Sequence, residues 1–319
     1  MGAGYVDLIR TLLRAARQVE DALGDGRCYK RLVKFTVVTP SFRQLDWLEL
    51  CIASVADQHG VESVEHIVCD GGSAGIEEFR SKMKDRFPDT TGYKLEFVIG
   101  PDSGMYDAIN KGLHRATGDV CSYLNCDEQL LPGSLTVVRD YLEKHADIDV
   151  VFGDTIVVGR EGDPLCYWRP YVPSLKHLAG ATLNTLSCST FFRRTVVEAG
   201  HLFEPQWKTV GDLRWICGLL EKRRTMACVP RPLAVFTFLG DNLGASGKAH
   251  EEFETSRESA SGPVRWLRRG LHGMRKLFSG AYVRRKVTYD LFALSDPSRR
   301  RRFTCESLGW TWPGLSKSR

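Results

Sequence analysis

Hydrophobic residues recur with two alternating periods between Val33 and Asp154. Short apolar runs rich in β-branched residues predict buried strands in VKFTVVTPS, VEHIVCDGGS, YKLEFVIG, DVCSYLNCDE and DVVFGD. Segments with apolar residues three or four positions apart predict helices between them, in LDWLELCIASVADQ, EEFRSKMKDRF, SGMYDAINKGLHRA and LPGSLTVVRDYLEKH. Strands that alternate with helices pair in parallel through right-handed crossovers. The sequence therefore predicts an α/β fold with a mostly parallel sheet flanked by helices.

Shorter and more mixed elements follow Asp154. SCSTFFRR predicts a strand, VGDLRWICGLLEKR predicts a helix that begins near Asp212, and TMACVPRPLAVFTF predicts two strands separated by Pro230 and Pro232. The Gly-, Ser- and Glu-rich stretch DNLGASGKAHEEFETSRESASG predicts a loop or linker, and PVRWLRRGLHGMRKLF a basic amphipathic helix. We accordingly divide the chain into an N-terminal helical extension (1–30), an α/β domain (31–245), and a linker with a basic helical extension (246–319).

Composition and cysteine usage point to a soluble protein of a reducing compartment. The 43% hydrophobic content and the length of 319 residues allow a core that needs no disulfides. The ten cysteines form no C-x-x-C pair and mostly occur in apolar runs, which favours buried thiols over disulfides or a zinc site. We find neither a signal peptide's apolar core nor an apolar run of about 18 residues, and we expect a cytoplasmic protein.

The basic charge is confined to the C-terminal part of the chain. Residues 261–303 contain twelve Lys and Arg against two Asp, a formal charge of +10, within a chain whose net charge is +5. WLRRGLHGMRKLF and YVRRKVTYDLF combine these charges with apolar residues, which is typical of helices at an anionic membrane surface. The alternative is a helical extension that packs on the α/β domain. Nucleic acid is not an expected partner, because no nucleic-acid-binding fold accompanies the charge.

Polar residues follow each of the first four predicted strands. They are Ser41, Asp70, Asp102 and Asp127. In open parallel sheets, ligands bind outside the carboxyl ends of the strands, so these side chains mark a candidate binding edge. TPSFRQ follows the first strand where a dinucleotide-binding domain would have G-x-G-x-x-G, and a P-loop motif is also missing from the sequence. Both of those protein classes are therefore disfavoured.

The turn YLNCDE places two carboxylates, Asp127 and Glu128, just after a buried strand. Mg²⁺ and Mn²⁺ prefer oxygen ligands and are usually held by one or two carboxylates together with substrate phosphates. The turn thus predicts a site for a divalent cation that binds a diphosphate. The alternative is a solvent-exposed turn whose aspartate caps the next helix.

Six segments, in order between Val33 and Gly244, resemble the family-2 glycosyltransferases, which have the GT-A fold. They are VVTPSF, HIVCDGGS, GPDSGMYDAINKG, GDVCSYLNCDE, SCSTFFRR and GDLRWICGLLEK. The resemblance implies an inverting transfer of a sugar from a nucleoside diphosphate donor, UDP being favoured, to an acceptor hydroxyl, with Mn²⁺ or Mg²⁺ as cofactor. It also divides the α/β domain into a nucleotide-binding half (31–130) and an acceptor half (131–245).

The resemblance implies that several residues contact the donor nucleotide. Thr39, Pro40 and Phe42 would line the nucleobase pocket, with the Phe42 ring against the base. Asp70 would bind the base edge, and Asp102 would lie at the nucleoside.

A second group is implied for the phosphates and the metal. Asn125-Cys126-Asp127 occupies the place of the family's D-x-D signature, with Asn125 in place of the usual first aspartate. Asp127, with Glu128 beside it, would hold the metal, and Asn125 would face the ribose or the diphosphate. Lys111 would reach a phosphate, although a solvated lysine is the alternative for this residue.

Asp212 would be the catalytic base. Inversion requires one displacement in which the acceptor hydroxyl loses its proton to a carboxylate as it attacks the anomeric carbon. Asp212 precedes the predicted helix LRWICGLLEK. From the residues alone, Asp212 could equally be only the N-cap of that helix.

The resemblance implies a glycan or lipid-linked acceptor in envelope polysaccharide or glycolipid synthesis, in the cytoplasm or at the inner membrane face. Two alternatives stay open at this point. One is a sugar nucleotidyltransferase, which would normally carry a Gly-rich basic loop where TPSFRQLDW stands. The other is a sugar-nucleotide-binding relative without catalysis, suggested by Asn125.

Overall fold

The computed structural model describes residues 33–178, 183–240, 252 and 262–313. The predicted N-terminal helix lies outside these residues, as does the predicted linker apart from Glu252. The described residues from Val33 onward belong to one compact unit.

The first half of the sheet alternates strands and helices as predicted. Its elements are β1 (Lys34–Ser41), α1 (Leu45–Ala56), β2 (Ser63–Asp70), α2 (Ile76–Arg86), β3 (Tyr93–Ile99), α3 (Met105–Leu113) and β4 (Val120–Tyr123). The strands lie in the order β3-β2-β1-β4, and all neighbours in this half are parallel. Their carboxyl ends therefore meet at one edge.

The second half adds shorter strands of mixed direction. Its elements are β5 (Gln129–Leu130), α4 (Ser134–Lys144), β6 (Val150–Val158), β7 (Pro164–Trp168), α5 (Leu175–Leu178), a 3₁₀ turn (Ser187–Ser189), β8 (Thr190–Arg193), α6 (Arg194–Glu198), α7 (Gly211–Glu221) and β9 (Met226–Thr237). The sheet continues from β4 through β8, β6, β9 and β5. Strand β8 is antiparallel to β4 and β6, while β6 and β9 are parallel. The α/β fold, with a largely parallel sheet flanked by helices, is thus confirmed.

The segment TMACVPRPLAVFTF forms one strand, β9, so the prediction of two strands was wrong. Its pairing with β6 shifts register around Asp154, which lies opposite Pro232 while Gly153 lies opposite Val229. Proline cannot donate to a strand ladder and is tolerated at a bulge. The irregularity absorbs both prolines without ending the strand.

Helices cover both faces of the sheet. On one face, Leu48 and Ile52 of α1 pack with Phe35 of β1 in one hydrophobic cluster. On the other, Ile109 of α3 and Ile216 of α7 belong to a second cluster. Since α3 and α7 share this second face, the residues at their N-termini lie near the same edge of the sheet.

The C-terminal extension combines a helix with a hairpin. Helix α8 (Gly262–Phe278) was predicted, but the following residues form strands β10 (Arg285–Ala293) and β11 (Asp296–Leu308), which pair antiparallel. The prediction of a helix here was wrong. Alternate residues of β10, namely Val287, Tyr289 and Leu291, are buried and pack with residues of β6, β7 and β9. That alternation in the sequence is a strand signal.

Two polar contacts fix the hairpin to the α/β domain. The Gln129 amide donates to the Phe292 carbonyl at 2.8 Å and accepts from the Phe292 N–H at 3.0 Å. The Arg300 guanidinium donates to Asp57 at 2.6 Å and to the Leu130 carbonyl at 3.3 Å. The hairpin therefore supports β5, which directly follows the acidic turn.

We expect Arg300→Ala to lower the free energy of unfolding by about 2–4 kcal/mol, because it removes a mostly buried charge with several acceptors. Arg302→Ala, on the same strand, removes the ion pair between Arg302 and Asp290. The Arg302 side chain in this pair is 72% exposed. The substitution should leave the free energy of unfolding almost unchanged, because the pair is exposed to solvent. Chemical denaturation of both variants measures the difference, and equal losses would contradict the anchoring role of Arg300.

Candidate active site

Three loops at the carboxyl ends of β1, β2 and β3 form a cleft. A Cβ atom placed on Gly71 would lie 2.9 Å from Asp102 Oδ2 and 3.1 Å from Phe42 Cδ2, so the absence of a side chain lets these groups approach. The Phe42 ring is 52% exposed, and the Arg43 guanidinium lies 4.6 Å from its centroid. An exposed ring at the edge of a cleft can stack on a planar base.

A cavity of about 190 Å³ lies beside this group, between the ends of β2 and β3 and helix α3. Asp70, Asp102 and Lys111 line it. The structure therefore brings together four of the residues predicted to bind the donor: Phe42, Asp70, Asp102 and Lys111.

Two residues predicted to bind the donor nucleotide have their polar side-chain atoms engaged inside the protein, and a third is buried. Asp70 is 1% exposed and accepts from the N–H groups of Gly72 and Ser73 at 2.9 and 2.6 Å, so its carboxylate shapes the DGGS turn. The Thr39 hydroxyl is fully buried, 2.8 Å from His66 Nε2, and a donor contact from Thr39 would have to come from its backbone. Pro40 is buried in β1.

Lys111 is also partly engaged. Its ammonium donates to the Pro101 carbonyl at 2.7 Å and pairs with Asp107 at 3.2 Å. The side chain is 37% exposed at the edge of the cavity. A phosphate contact from Lys111 would require these bonds to be exchanged.

The acidic turn Asn125–Glu128 is a closed loop. The Glu128 N–H donates to the Asn125 carbonyl at 3.0 Å, and the Asn125 N–H donates to Glu128 Oε2 at 2.8 Å. Glu128 is 1% exposed, so its carboxylate braces the loop from within. The predicted metal pair is thus divided in space, with Glu128 buried and Asp127 half-buried at the surface of the turn.

Other elements hold the same loop in place. The Cys126 thiol donates to Gln44 Oε1 at 2.8 Å, just before α1. The Thr237 hydroxyl, at the end of β9, donates to the Asp127 carbonyl at 2.5 Å. With Gln129 fixed by the hairpin, the turn is bound on three sides, which preorganises its outward-facing groups.

The donor atoms of this turn fit a divalent cation. Asn125 Oδ1 is buried and has no hydrogen-bond partner among the described residues. Buried polar atoms are normally paired, so this oxygen is suited to a ligand. Burial and the neighbouring Asp127 raise the pKa of Glu128 well above its ordinary value, and a cation here would offset that repulsion. Among the described residues, no group of three or more His, Cys, Asp or Glu side chains is arranged to hold a metal ion.

Asp212 lies in the first turn of α7. The capping position is Val210, and Asp212 Oδ1 accepts from the Leu213 N–H at 2.7 Å. The Asp212 N–H donates to the Tyr106 hydroxyl at 3.2 Å. Burial raises the pKa of Asp212 to about 6, while the hydrogen bonds of its carboxylate oppose part of this shift. A carboxylate with such a pKa is suited to accept a proton near neutral pH.

A narrow pocket lies beside Asp212. It is lined by Asp212, Tyr123 and Ser187 among others, and its volume of about 10 Å³ is close to that of one water-sized probe. The Ser187 hydroxyl donates to Glu128 Oε1 at 3.4 Å. The predicted base and the predicted metal loop therefore lie on either side of one residue.

Sequence reasoning missed three residues that support this arrangement. Tyr106 meets Asp212 from α3, and Ser187 joins the pocket to the acidic turn. The Glu252 carboxylate accepts from the N–H groups of Lys208 and Thr209, on the segment before α7. The sequence offered only the positions of Tyr106 in SGMYDAINKG and of Ser187 in SCSTFFRR, two segments already noted, and no signal for their contacts.

We expect Tyr106→Phe to move the acidic limb of the pH–rate profile to higher pH, because the Tyr106 hydroxyl lowers the pKa of Asp212. The free energy of unfolding should fall by only about 0.5–1.5 kcal/mol. Tyr289→Phe is the matched control, since it also removes a buried hydroxyl, one that donates to the Gly162 carbonyl. If the acidic limb of the profile has the same midpoint in Tyr106→Phe as in the wild type, the Tyr106 hydroxyl does not set the pKa of Asp212.

The sequence model of glycosyl transferase family 2 matches residues 36–199, just over half of the chain. The chain belongs to this family, as the resemblance predicted, and the prediction of a glycosyltransferase is confirmed at this level.

Curated relatives carry related names. A PGL/p-HBAD biosynthesis glycosyltransferase of Mycobacterium tuberculosis is 29% identical over 124 residues, which are 39% of this chain and 47% of that protein. An uncharacterized glycosyltransferase of Nostoc is 23% identical over 189 residues, covering 56% of this chain and 57% of that protein. The chain thus spans about half the length of the curated relatives it matches.

Solved structures share the fold. The mannosyltransferase PcManGT from Pyrobaculum calidifontis, in complex with GDP-Man and Mn²⁺, has a TM-score of 0.55 at 16% identity, covering 83% of this chain and 76% of that one. TarS 1–349 from S. aureus, in complex with UDP-GlcNAc, has a TM-score of 0.53 at 17% identity, covering 67% and 61%. In the described part of this chain, no helix has the length and apolar character needed to cross a bilayer.

Proposed function

We propose that this protein transfers a sugar, with inversion, from a nucleoside diphosphate donor to a hydroxyl of a glycan or lipid-linked acceptor. The observation that carries the proposal is the arrangement around Ser187. Asp212, whose pKa is raised to about 6, lines one pocket with Ser187, and the Ser187 hydroxyl bonds to the acidic turn. An in-line displacement requires a proton acceptor near a site that stabilises the leaving diphosphate, and Ser187 brings Asp212 and the acidic turn close together.

The donor would bind along the strand ends. The exposed Phe42 ring would stack on the base. Asp102, whose Oδ2 would lie 2.9 Å from a Cβ atom placed on Gly71, would lie at the nucleoside. Asp127 and the unpaired Asn125 Oδ1 would hold Mn²⁺ or Mg²⁺. When bound, the cation would supply positive charge that stabilises the leaving diphosphate.

Asp212 would act on the acceptor. Its carboxylate would take the proton of the acceptor hydroxyl as that oxygen forms a bond to the anomeric carbon. The bond from the anomeric carbon to the phosphate oxygen breaks in the same step, and the nucleoside diphosphate leaves. Because attack and departure occur on opposite faces, the anomeric configuration is inverted.

Similar proteins support the choice of donor and cofactor. TarS structures are described with UDP and UDP-GlcNAc, and PcManGT with GDP-Man and Mn²⁺. We favour UDP as the nucleotide of the donor. One relative is named for PGL/p-HBAD biosynthesis, in line with a role in envelope polysaccharide or glycolipid synthesis, which we place in the cytoplasm.

The alternative of a non-catalytic sugar-nucleotide-binding protein has one observation in its favour. Asn125 replaces the usual first aspartate of the metal signature, as it would in a sugar-nucleotide-binding relative without catalysis. Family membership disfavours the sugar nucleotidyltransferase.

The test is release of nucleoside diphosphate from UDP-, GDP- and dTDP-sugars, with and without Mn²⁺, in the presence of an acceptor panel. Metal-dependent release from one donor, with an inverted product by NMR, is the expected result. A retained configuration would refute the single displacement. Binding of a nucleotide without turnover of any donor would favour the non-catalytic alternative.

A further inference from the structure

Helix α8 turns its apolar side toward solvent. Leu271, Met274, Leu277 and Phe278 are 36%, 50%, 62% and 86% exposed, and their spacing places them on one face of the helix. We call these four residues the outer face of α8. A surface helix normally buries its apolar face, so this orientation calls for a partner.

The polar side of α8 packs on the α/β domain instead. His272 hydrogen-bonds to the Tyr171 hydroxyl, and Arg275 donates to the Val172 carbonyl at 2.9 Å. The Lys276 ammonium lies 4.4 Å from the centroid of the Trp168 ring. These contacts fix the rotation of the helix, so the outer face cannot turn inward without breaking them.

Further exposed apolar side chains follow α8 along the chain. Val283 is 54% exposed, and Trp310, 40% exposed, packs edge-on against Tyr282 with 4.6 Å between ring centroids. Tyrosine and tryptophan are the side chains that sit at the level of lipid headgroups. The exposed bases Arg284 and Lys286 follow Val283 along the chain.

Charge identifies the occupant. Residues 261–303, which include α8 and most of the hairpin, carry a formal charge of +10. A second copy on the outer face would bring two such segments together, whereas an anionic surface would attract them. We propose that the outer face of α8 lies on an anionic lipid bilayer, with Arg284 and Lys286 near its headgroups. This inference does not depend on the proposed function.

The test is co-sedimentation of the full chain with vesicles of phosphatidylcholine alone and of phosphatidylcholine mixed with phosphatidylglycerol. We expect binding to the anionic vesicles, weakened by added salt. The variant Met274→Ser/Leu277→Ser/Phe278→Ser should lose at least about tenfold in partitioning. Arg284→Gln/Lys286→Gln should lose roughly fivefold for each charge.

Matched controls come from the α/β domain. Leu165→Ser removes a β7 side chain that is 37% exposed and does not belong to the outer face of α8, and Arg80→Gln/Lys82→Gln removes two exposed charges from α2. Both should bind vesicles like the wild type. Equal binding to both vesicle types, or no binding to either, would overturn the proposal. A dimer of the wild type that the triple variant loses, or capture of an acidic protein without lipid binding, would assign the outer face to those partners.

Discussion

Asp212→Asn is expected to lower the rate of transfer by about 10²–10⁴-fold while nucleotide affinity stays within a factor of about two. Asparagine keeps the acceptor oxygen for the Leu213 N–H but cannot take a proton. Single-turnover kinetics and calorimetric titration of the donor nucleotide measure the two quantities. Asp46→Asn, in the exposed first turn of α1, is the control for loss of one such charge.

Stability gives an independent readout of the same residue. Because the pKa of Asp212 in the folded protein, about 6, exceeds its ordinary value of 3.8, its ionised form is disfavoured by folding. That cost is complete above pH about 6 and disappears as the pH falls toward the ordinary pKa. Asp212→Asn should therefore melt at a higher temperature than the wild type at neutral pH, with the difference fading on acidification. A fall in both donor affinity and melting temperature would show that Asp212 has a structural role instead.

Asp127→Ala is expected to abolish the metal-dependent part of nucleotide binding. In Mn²⁺, affinity for the preferred nucleoside diphosphate should fall by about 100-fold or more, and without metal the variant and the wild type should bind alike. Binding with metal should fall because Asp127 is the carboxylate of the turn that reaches the surface. Binding without metal should not change, because the Thr237 hydroxyl still donates to the backbone carbonyl of residue 127 and holds the turn. Calorimetry with UDP, GDP and dTDP, with and without Mn²⁺, measures this.

Two further variants sharpen that result. Glu128→Gln keeps one side-chain oxygen to accept from the Asn125 N–H, and its NH2 group can donate to the Ser187 hydroxyl oxygen, so nucleotide affinity in Mn²⁺ should change little. Asp85→Ala, on the exposed side of α2, controls for the loss of a surface carboxylate. If Glu128→Gln lost as much affinity as Asp127→Ala, both carboxylates would be metal ligands and the division between them would be refuted.

The parallel half of the fold could be predicted because its signal is local. Strands such as β1, buried at seven of eight positions, appear in the sequence as continuous apolar runs. Strand β11 has no such signal, since seven of the thirteen residues of DPSRRRRFTCESL are exposed and six are charged. Its conformation depends on pairing with β10 and on the contacts of Arg300, which no local pattern contains.

The site shows the same division. The order of the segments was enough to single out Asp127 and Asp212 as candidates, because both lie at the ends of recognisable elements. The distinction between Asp127 and Glu128 was not predictable, since adjacent residues in a turn have no periodicity that separates a buried side chain from an exposed one. The contact of Tyr106 with Asp212 joins residues 106 positions apart and depends on how α3 and α7 pack.

The support of β5 by the hairpin also sets an order of events during synthesis. The bonds between Gln129 and Phe292 span 163 residues. At about 5–20 residues per second, the ribosome needs roughly 8–33 s to supply that length of chain. During this interval the edge of β5 and the apolar surface that β10 will cover are without their final partner. We therefore expect the nascent chain to be most prone to aggregation before the hairpin emerges.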